Sequence, residues 1–128
     1  MAVRPAMEFI DGGAEVAFVD LQAVRPIEIF PGVHIRTPYG KNLMLSYVEI
    51  DDGAVVETHR HPHEQGGIVL SGRMELTIGE ETRTLWPGEM YIIPPDTPHQ
   101  ARGVGGPVVA LDVFAPVRED YAARMGER

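Results

Sequence analysis

Short apolar runs alternate with turn sequences along most of the chain. We predict strands over these runs, at residues 27–30, 33–37, 43–50, 67–70, 73–78, 82–86, 90–93 and 108–114. The breaks between them contain glycine, as at Pro31-Gly32, Asp51-Asp52-Gly53 and Pro87-Gly88. Short strands at this spacing predict an all-β sandwich or barrel. The dipeptides Ser71-Gly72 and Gly79-Glu80 predict tight hairpins, which require antiparallel neighbours.

One short helix is predicted at the C-terminal end of the chain. Pro116 is suited to a first helical turn, and Glu119 and Asp120 then face the positive end of the helix dipole. A frayed tail is the alternative, and the sequence leaves both open.

Composition and charge narrow the class of protein. The chain has 128 residues, which predicts one domain over 1–128. Its formal net charge of −8 disfavours nucleic acid and anionic membrane surfaces as partners. Because it has no cysteine, disulfides and thiolate zinc sites are excluded. No apolar run approaches the roughly 20 residues that cross a bilayer, and residues 1–10 have no signal-peptide pattern, so we expect a cytoplasmic protein.

Three of the five histidines lie in one short stretch of the chain, at His59, His61 and His63. If His59 and His61 belong to one strand, their side chains share a face about 7 Å apart, close enough to bind one metal ion. Pro62 interrupts the strand beside His63, which we therefore interpret as a residue at the rim of such a site. His34 falls in an early strand and is expected to be structural.

The spacing of the histidines relative to glycines and a proline over residues 53–99 resembles that of a known family. Two ordered groups, Gly53 to Gly72 around the histidine cluster and Gly88-x5-Pro94-x4-His99, resemble the two motifs of the cupin superfamily. The resemblance implies a double-stranded antiparallel β-barrel (jelly roll), with its core at about 27–116. It also implies one divalent transition metal ion (Zn, Ni, Fe or Mn), held by His59, His61, Gln65 and His99. The alternative is a metal-free cupin in which the same histidines line an empty pocket.

The sequence departs from the cupin pattern at three positions. Asp96 replaces a glycine and Gly103 replaces an asparagine of the second motif, while Gln65 stands where glutamate is more common. Three neutral imidazoles and a neutral amide would leave the ion its full positive charge, so it would be a stronger Lewis acid toward an anionic oxygen. This favours cupins that bind an organic acid without redox chemistry.

A second group of candidate residues follows in the last strand. Asp112 and Phe114 are two residues apart and share a face, and Arg118 comes just after them. A structural Asp112–Arg118 ion pair with Phe114 in the core is one interpretation, because a buried carboxylate needs a partner. The pattern also resembles the small pectin-degradation cupins that linearise unsaturated uronates, in which these positions line the pocket beside the metal.

That resemblance implies an isomerase or lyase type of enzyme whose substrate is a small acid, a 4,5-unsaturated monouronate. Asp112 would be the general acid/base, Arg118 would bind the substrate carboxylate and Phe114 would form an apolar wall. The alternatives are a metal-dependent oxygenase, a cupin similar to polyketide cyclases, and a non-catalytic module that binds a small molecule. We also expect a homodimer, because pairing would cover exposed strand edges.

Overall fold

The computed structural model describes residues 18–125 of the chain. After a short 3-10 turn at Leu21–Ala23 come ten strands and one helix. In chain order they are β1 Ile27–Phe30, β2 Val33–Arg36, β3 Met44–Ile50, β4 Val55–His59, β5 Glu64–Ser71, β6 Met74–Ile78, β7 Glu81–Leu85, β8 Met90–Ile93, β9 His99–Gly103, β10 Val108–Ala115 and α1 Glu119–Met125.

The strands form two antiparallel sheets packed face to face, as the predicted double-stranded barrel requires. The larger sheet has the order β1-β2-β3-β10-β5-β8, and the smaller has the order β4-β9-β6-β7. The all-β jelly-roll prediction is therefore confirmed. The predicted limits of the domain, at residues 1 and 128, lie outside the described residues.

The hydrophobic core lies between the two sheets. In β3 and β10, residues alternate strictly between buried and more exposed positions, so alternate side chains point inward. Val33, Ile50, Val69 and Val108 are fully or almost fully buried there. The inward face of β10 also carries Asp112, at 9% exposure. A polar group thus lies in an otherwise apolar layer, next to the pocket described below.

Two strands and one hairpin differ from the sequence prediction. Strands β4 and β9 pair with each other but were not predicted from the apolar pattern. Gly79-Glu80 does form the tight hairpin between β6 and β7, in which Ile78 pairs with Glu81. The prediction of a hairpin at Ser71-Gly72 is wrong, because β5 and β6 belong to different sheets and the turn at these residues connects the two sheets.

The C-terminal segment forms a helix, α1, as predicted, but the helix begins at Glu119, so Pro116 lies before its first turn. It is held against the start of the barrel by Arg124, which donates to the Glu28 carbonyl at 3.2 Å, and by Arg25, which donates to the Arg124 carbonyl at 2.8 Å. Within residues 18–125, no helix is long and apolar enough to span a bilayer.

Candidate metal centre and its pocket

A pocket opens between the two sheets. Core residues of both sheets form its apolar part. Its polar part contains residues from both groups predicted from the sequence: His59, Gln65, His99, Asp112 and Arg118. Phe114 and Tyr121 also line it. The fold thus brings the histidine group and the β10 group to one place.

Three histidines converge at one side of this pocket. His59 ends β4 and pairs in register with His99, the first residue of β9, so their rings lie 4.3 Å apart. His61 lies in the bend after β4, with its ring 5.5 Å from that of His59 and 5.0 Å from that of His99. The expectation that His59 and His61 share a strand is wrong, because β4 ends at His59. The bend brings His61 to the same site instead.

Each of the three rings is oriented by a backbone carbonyl. The Nδ1 atom lies 2.8 Å from the Glu57 carbonyl in His59, 3.1 Å from the His63 carbonyl in His61 and 2.8 Å from the Thr97 carbonyl in His99. A neutral imidazole that donates from Nδ1 has its lone pair on Nε2. Such a second hydrogen bond is the usual support for a histidine that binds a metal through its other nitrogen.

The ring nitrogens of this histidine triad lie close enough together to bind one metal ion. The candidate ligand atoms of His59, His61 and His99 all lie within 4.8 Å of one another. The Nε2 atom of His99 is buried and has no hydrogen-bond partner. Burial lowers the pKa of all three histidines, that of His99 to about 4, so they are neutral and able to bind a metal at neutral pH. These three histidines could therefore hold a metal ion.

Gln65 lies beside the triad and completes the polar wall. It is buried in β5, and its Oε1 atom lies 3.0 Å from Nε2 of His61. Both ring nitrogens of His61 therefore face oxygen atoms, yet a neutral imidazole carries only one hydrogen. One of the two contacts must then be between two acceptors. A cation bound to both Nε2 and Oε1 would remove this conflict, so the amide fits a fourth ligand position.

Asp112 is linked to Gln65 rather than to a positive charge. Its Oδ2 accepts from Nε2 of Gln65 at 3.1 Å, and its Oδ1 accepts a short hydrogen bond from the Tyr91 hydroxyl. Burial raises the pKa of Asp112 to about 6, although both hydrogen bonds lower it. The carboxyl group therefore titrates close to neutral pH, where a general acid/base works best.

Arg118 lines the pocket and is almost fully buried. Its Nε and Nη2 atoms donate to both carboxylate oxygens of Asp120, at 3.2 and 2.8 Å. Its guanidinium carbon lies 3.8 Å from the Tyr121 ring centre and 5.1 Å from that of Phe114. The alternative of an Asp112–Arg118 ion pair is wrong, because Arg118 pairs with Asp120. That pairing holds the pKa of Asp120 below its ordinary value, although burial raises it.

The remaining histidines lie outside the triad. His63 is buried with its ring 5.5 Å from that of His61, and its Nε2 lies 3.5 Å from the Glu119 carboxylate. His63 also supplies the carbonyl that orients His61. His34 lies 3.4 Å from the Glu28 carboxylate on the neighbouring strand.

Sequence reasoning missed two tyrosines of the pocket. Tyr91 holds Asp112, and Tyr121 stacks on Arg118. Tyr91 occupies an inward position of an apolar strand, where the sequence predicts an ordinary core residue. The signal that could have found Tyr121 is its place in the predicted helix three residues after Arg118, since such residues lie on one side of a helix turn.

Comparison with known proteins places the site in a family. A family model described as "Cupin domain" matches residues 46–114, which include all three triad histidines and Gln65. A curated relative from Bacillus subtilis, "H2HPP isomerase", is 40% identical over 73 residues, which are 56% of this chain. The match spans only 30% of that isomerase.

Two further relatives share a name. "Pectin degradation protein KdgF" from Dickeya dadantii (strain 3937) is 30% identical over 84 residues, covering 65% of this chain and 76% of that protein. The solved structure of KdgF from Halomonas sp. superposes with a TM-score of 0.78 and 29% identity. That superposition covers 84% of this chain and 99% of the Halomonas chain.

Proposed function

We propose that this chain, which belongs to the cupin domain family, is a metal-dependent enzyme that opens the ring of 4,5-unsaturated monouronates and converts the product to its keto form. One observation carries the proposal: two of the three triad histidines, the buried Asp112 carboxyl group and the buried Arg118 guanidinium all line the same pocket. His61, the third histidine of the triad, lies beside them, next to Gln65. The two relatives named KdgF, one of them a pectin degradation protein, support the same substrate class.

The residues proposed to hold the metal are His59, His61, Gln65 and His99. Their donor set of three imidazoles and one amide oxygen suits a first-row divalent ion such as Zn, Ni, Fe or Mn. When bound, the ion would supply positive charge that stabilises the negative charge developing on the substrate oxygens as the ring opens. Because all four ligands are neutral, none of that charge would be cancelled by the ligands.

Arg118 would bind and orient the substrate carboxylate. Asp120 occupies Nε and one Nη2 hydrogen, which leaves both Nη1 hydrogens and the second Nη2 hydrogen for a substrate. The ring contacts with Phe114 and Tyr121 keep the guanidinium plane in place. A planar, pre-oriented guanidinium of this kind favours bidentate binding of a carboxylate. Phe114 would also form the apolar wall against which the sugar lies.

Asp112 would move the proton that the isomerisation requires. Linearisation removes a proton from the anomeric hydroxyl as the bond between the anomeric carbon and the ring oxygen breaks, which yields an aldehyde and an enol oxygen. Conversion of the enol to a ketone then adds a proton at the neighbouring carbon. Asp112 can accept the first proton and return it in the second step, so that no other reactant is consumed. Burial raises the pKa of Asp112 to about 6 in the metal-free protein, and a cation bound beside it would lower that value and favour the ionised form that accepts the first proton.

The test combines metal analysis with proton NMR of unsaturated galacturonate, with and without protein. We expect about one divalent ion per chain and conversion to the linear keto acid under argon. Metal-stripped protein should be inactive and should recover when the ion is restored. A metal-loaded protein that leaves the substrate unchanged would refute the activity. Turnover that needs dioxygen would indicate an oxygenase, and saturable binding without turnover would indicate a non-catalytic module.

A second candidate is isomerisation of H2HPP. The 40% identity to the Bacillus subtilis isomerase over 73 residues favours it. The same metal-loaded protein should be assayed with both substrates. A kcat/KM for H2HPP that exceeds the value for unsaturated galacturonate would replace the first candidate with the second.

We further propose that the protein is a homodimer that pairs through the outer face of the larger sheet. Leu45, Leu70, Met90 and Ile92 are exposed on that face, Met90 and Ile92 at 74% and 67%. The last two lie on β8, which is an edge strand of the sheet. Exposed apolar side chains on an edge strand are unfavourable in a monomer.

Light scattering tests the dimer. We expect a mass of twice 14.1 kDa for the wild-type protein. Ile92→Glu should yield the monomer, whereas Thr84→Glu, which adds the same charge to the exposed β7, should leave the dimer intact. A wild-type protein that scatters as a monomer would contradict the proposal.

A further inference from the structure

We propose that Tyr91 is a positioning residue that acts through Asp112 to aim the Gln65 amide oxygen at the histidine triad, and that Gly67 makes this arrangement possible. The inference rests on the metal-binding part of the proposed function and is independent of the substrate. It assigns a role to two residues that no motif of the sequence singled out.

The three side chains meet across three neighbouring strands. Tyr91 on β8 and Asp112 on β10 both pair in register with Gly67, which lies between them on β5. A Cβ atom built on Gly67 would overlap Oδ1 of Asp112 and the ring and hydroxyl of Tyr91. The Tyr91–Asp112 hydrogen bond therefore passes through the space that a side chain at residue 67 would fill.

Space, and not backbone conformation, explains the glycine at position 67. Seven other glycines of the described chain have positive φ angles that disfavour other residues, and Gly67 is not among them. The neighbouring Gly66 provides a contrast, because a Cβ there would make only ordinary contacts, the nearest 3.5 Å from Ile92. A side chain at position 67 would displace the Tyr91–Asp112 contact, whereas a side chain at position 66 would not reach it.

The direction of the Gln65 amide follows from the chemistry of its partners. An ionised carboxylate only accepts hydrogen bonds, so the NH₂ end of the amide must face Asp112. The oxygen end then faces Nε2 of His61, at 3.0 Å. The reverse orientation would place NH₂ toward the triad, and an amide nitrogen that carries two hydrogens has no lone pair to offer a cation.

Tyr91 keeps Asp112 in the position that enforces this direction. Its hydroxyl donates to Oδ1, which leaves Oδ2 for the Gln65 amide. The tyrosine ring belongs to the hydrophobic core, and a phenylalanine would fill that space equally well. The hydroxyl is therefore the part of Tyr91 that packing does not explain, and its partner is the carboxylate.

The test measures metal affinity in the absence of substrate. Zn²⁺ is titrated against a chromophoric chelator with wild-type protein and Tyr91→Phe. We expect the variant to bind about tenfold more weakly, since loss of a group that orients a metal ligand costs about 10- to 100-fold in affinity. Tyr47→Phe, which removes a hydroxyl on the outer side of β3, should keep the wild-type affinity. Gly67→Ala should weaken binding as Tyr91→Phe does, whereas Gly66→Ala should not.

A double variant identifies the route of the effect. If Tyr91 acts through Gln65, then Tyr91→Phe should change the affinity less than twofold in a Gln65→Ala background. An equal loss in both backgrounds, or a Tyr91→Phe affinity within twofold of wild type, would overturn the inference while the proposed metal site stands. A wild-type protein that does not bind Zn²⁺, Ni²⁺, Fe²⁺ or Mn²⁺ would overturn both.

Discussion

Replacing Asp112 by asparagine should remove a pH-dependent cost to the stability of the metal-free protein, and it should also inactivate the metal-loaded protein. Asp112 is 9% exposed, and burial raises its pKa from 3.8 to about 6. That difference corresponds to about 3 kcal/mol of unfolding free energy, at 1.36 kcal/mol for each pH unit. Asparagine keeps the shape and an oxygen that can accept from Gln65, but it has no proton to lose.

The direction in which stability changes with pH follows from whether the folded or the unfolded protein binds the proton. Below pH 3.8 the carboxyl group is protonated in both the folded and the unfolded protein, so it contributes no difference. Between pH 3.8 and about 6 the folded protein keeps a proton that the unfolded chain has released, and stability therefore falls as the pH rises. Above about pH 6 the full cost is present. The triad histidines act in the opposite direction, but they are the same in both proteins and cancel in the comparison.

Urea unfolding in the presence of a chelator measures the effect. The difference in unfolding free energy between Asp112→Asn and wild type should grow by 2–3 kcal/mol, as an order of magnitude, from pH 4 to pH 7.5. Asp51→Asn makes the same change at an exposed position and should show no such growth. Turnover of unsaturated galacturonate, measured with the metal supplied at a saturating concentration, should fall about 10²- to 10⁴-fold. A stability difference that is constant with pH would refute the buried-carboxylate reasoning, and full activity would refute the proton-transfer role.

Three further predictions concern the metal site and the binding of the substrate carboxylate by Arg118. Zn²⁺ at 100 times its dissociation constant should raise the free energy of unfolding by about 2.7 kcal/mol, and a chelator should reverse this; a melting temperature that does not respond would argue against a site formed only by the folded chain. Because burial lowers the pKa of His99 to about 4, protons should compete little with the metal at this ligand between pH 7.5 and 6. A chelator titration in which the metal affinity falls tenfold or more over that range would show that the triad is easily protonated. Arg118→Lys should raise KM for the uronate about tenfold, since lysine cannot reproduce the bidentate fork, and an unchanged KM would remove Arg118 from substrate binding.

The sequence predicts most of the fold because the core strands follow a simple rule. In β3 and β10, apolar residues alternate with others at the period of a strand, so the pattern identifies both the strands and their inward faces. Strands β4 and β9 do not follow it, since β9 reads His-Gln-Ala-Arg-Gly and has only alanine as an apolar side chain. These are the two strands that carry His59 and His99. Their apolar pattern is weak because functional side chains take inward positions.

The sequence predicts which residues form the candidate site, but it does not predict their local geometry. The motif spacing selects His59, His61, Gln65 and His99, and the structure brings all four together. The expected shared strand is wrong, because β4 ends at His59. The contacts that orient the side chains come from residues far apart in sequence, such as Tyr91 with Asp112, and no local pattern specifies such pairs.

The distribution of charge in the pocket connects the metal site with the kind of ligand proposed. Arg118 is balanced by Asp120, and the triad and Gln65 are neutral, so Asp112 is left as the negative group beside the site. A divalent ion at the triad would therefore exceed the single charge of Asp112, and the pocket would carry a net positive charge inside a protein whose total is −8. Such a local reversal of sign favours a small anionic ligand, because a neutral sugar would gain nothing from it.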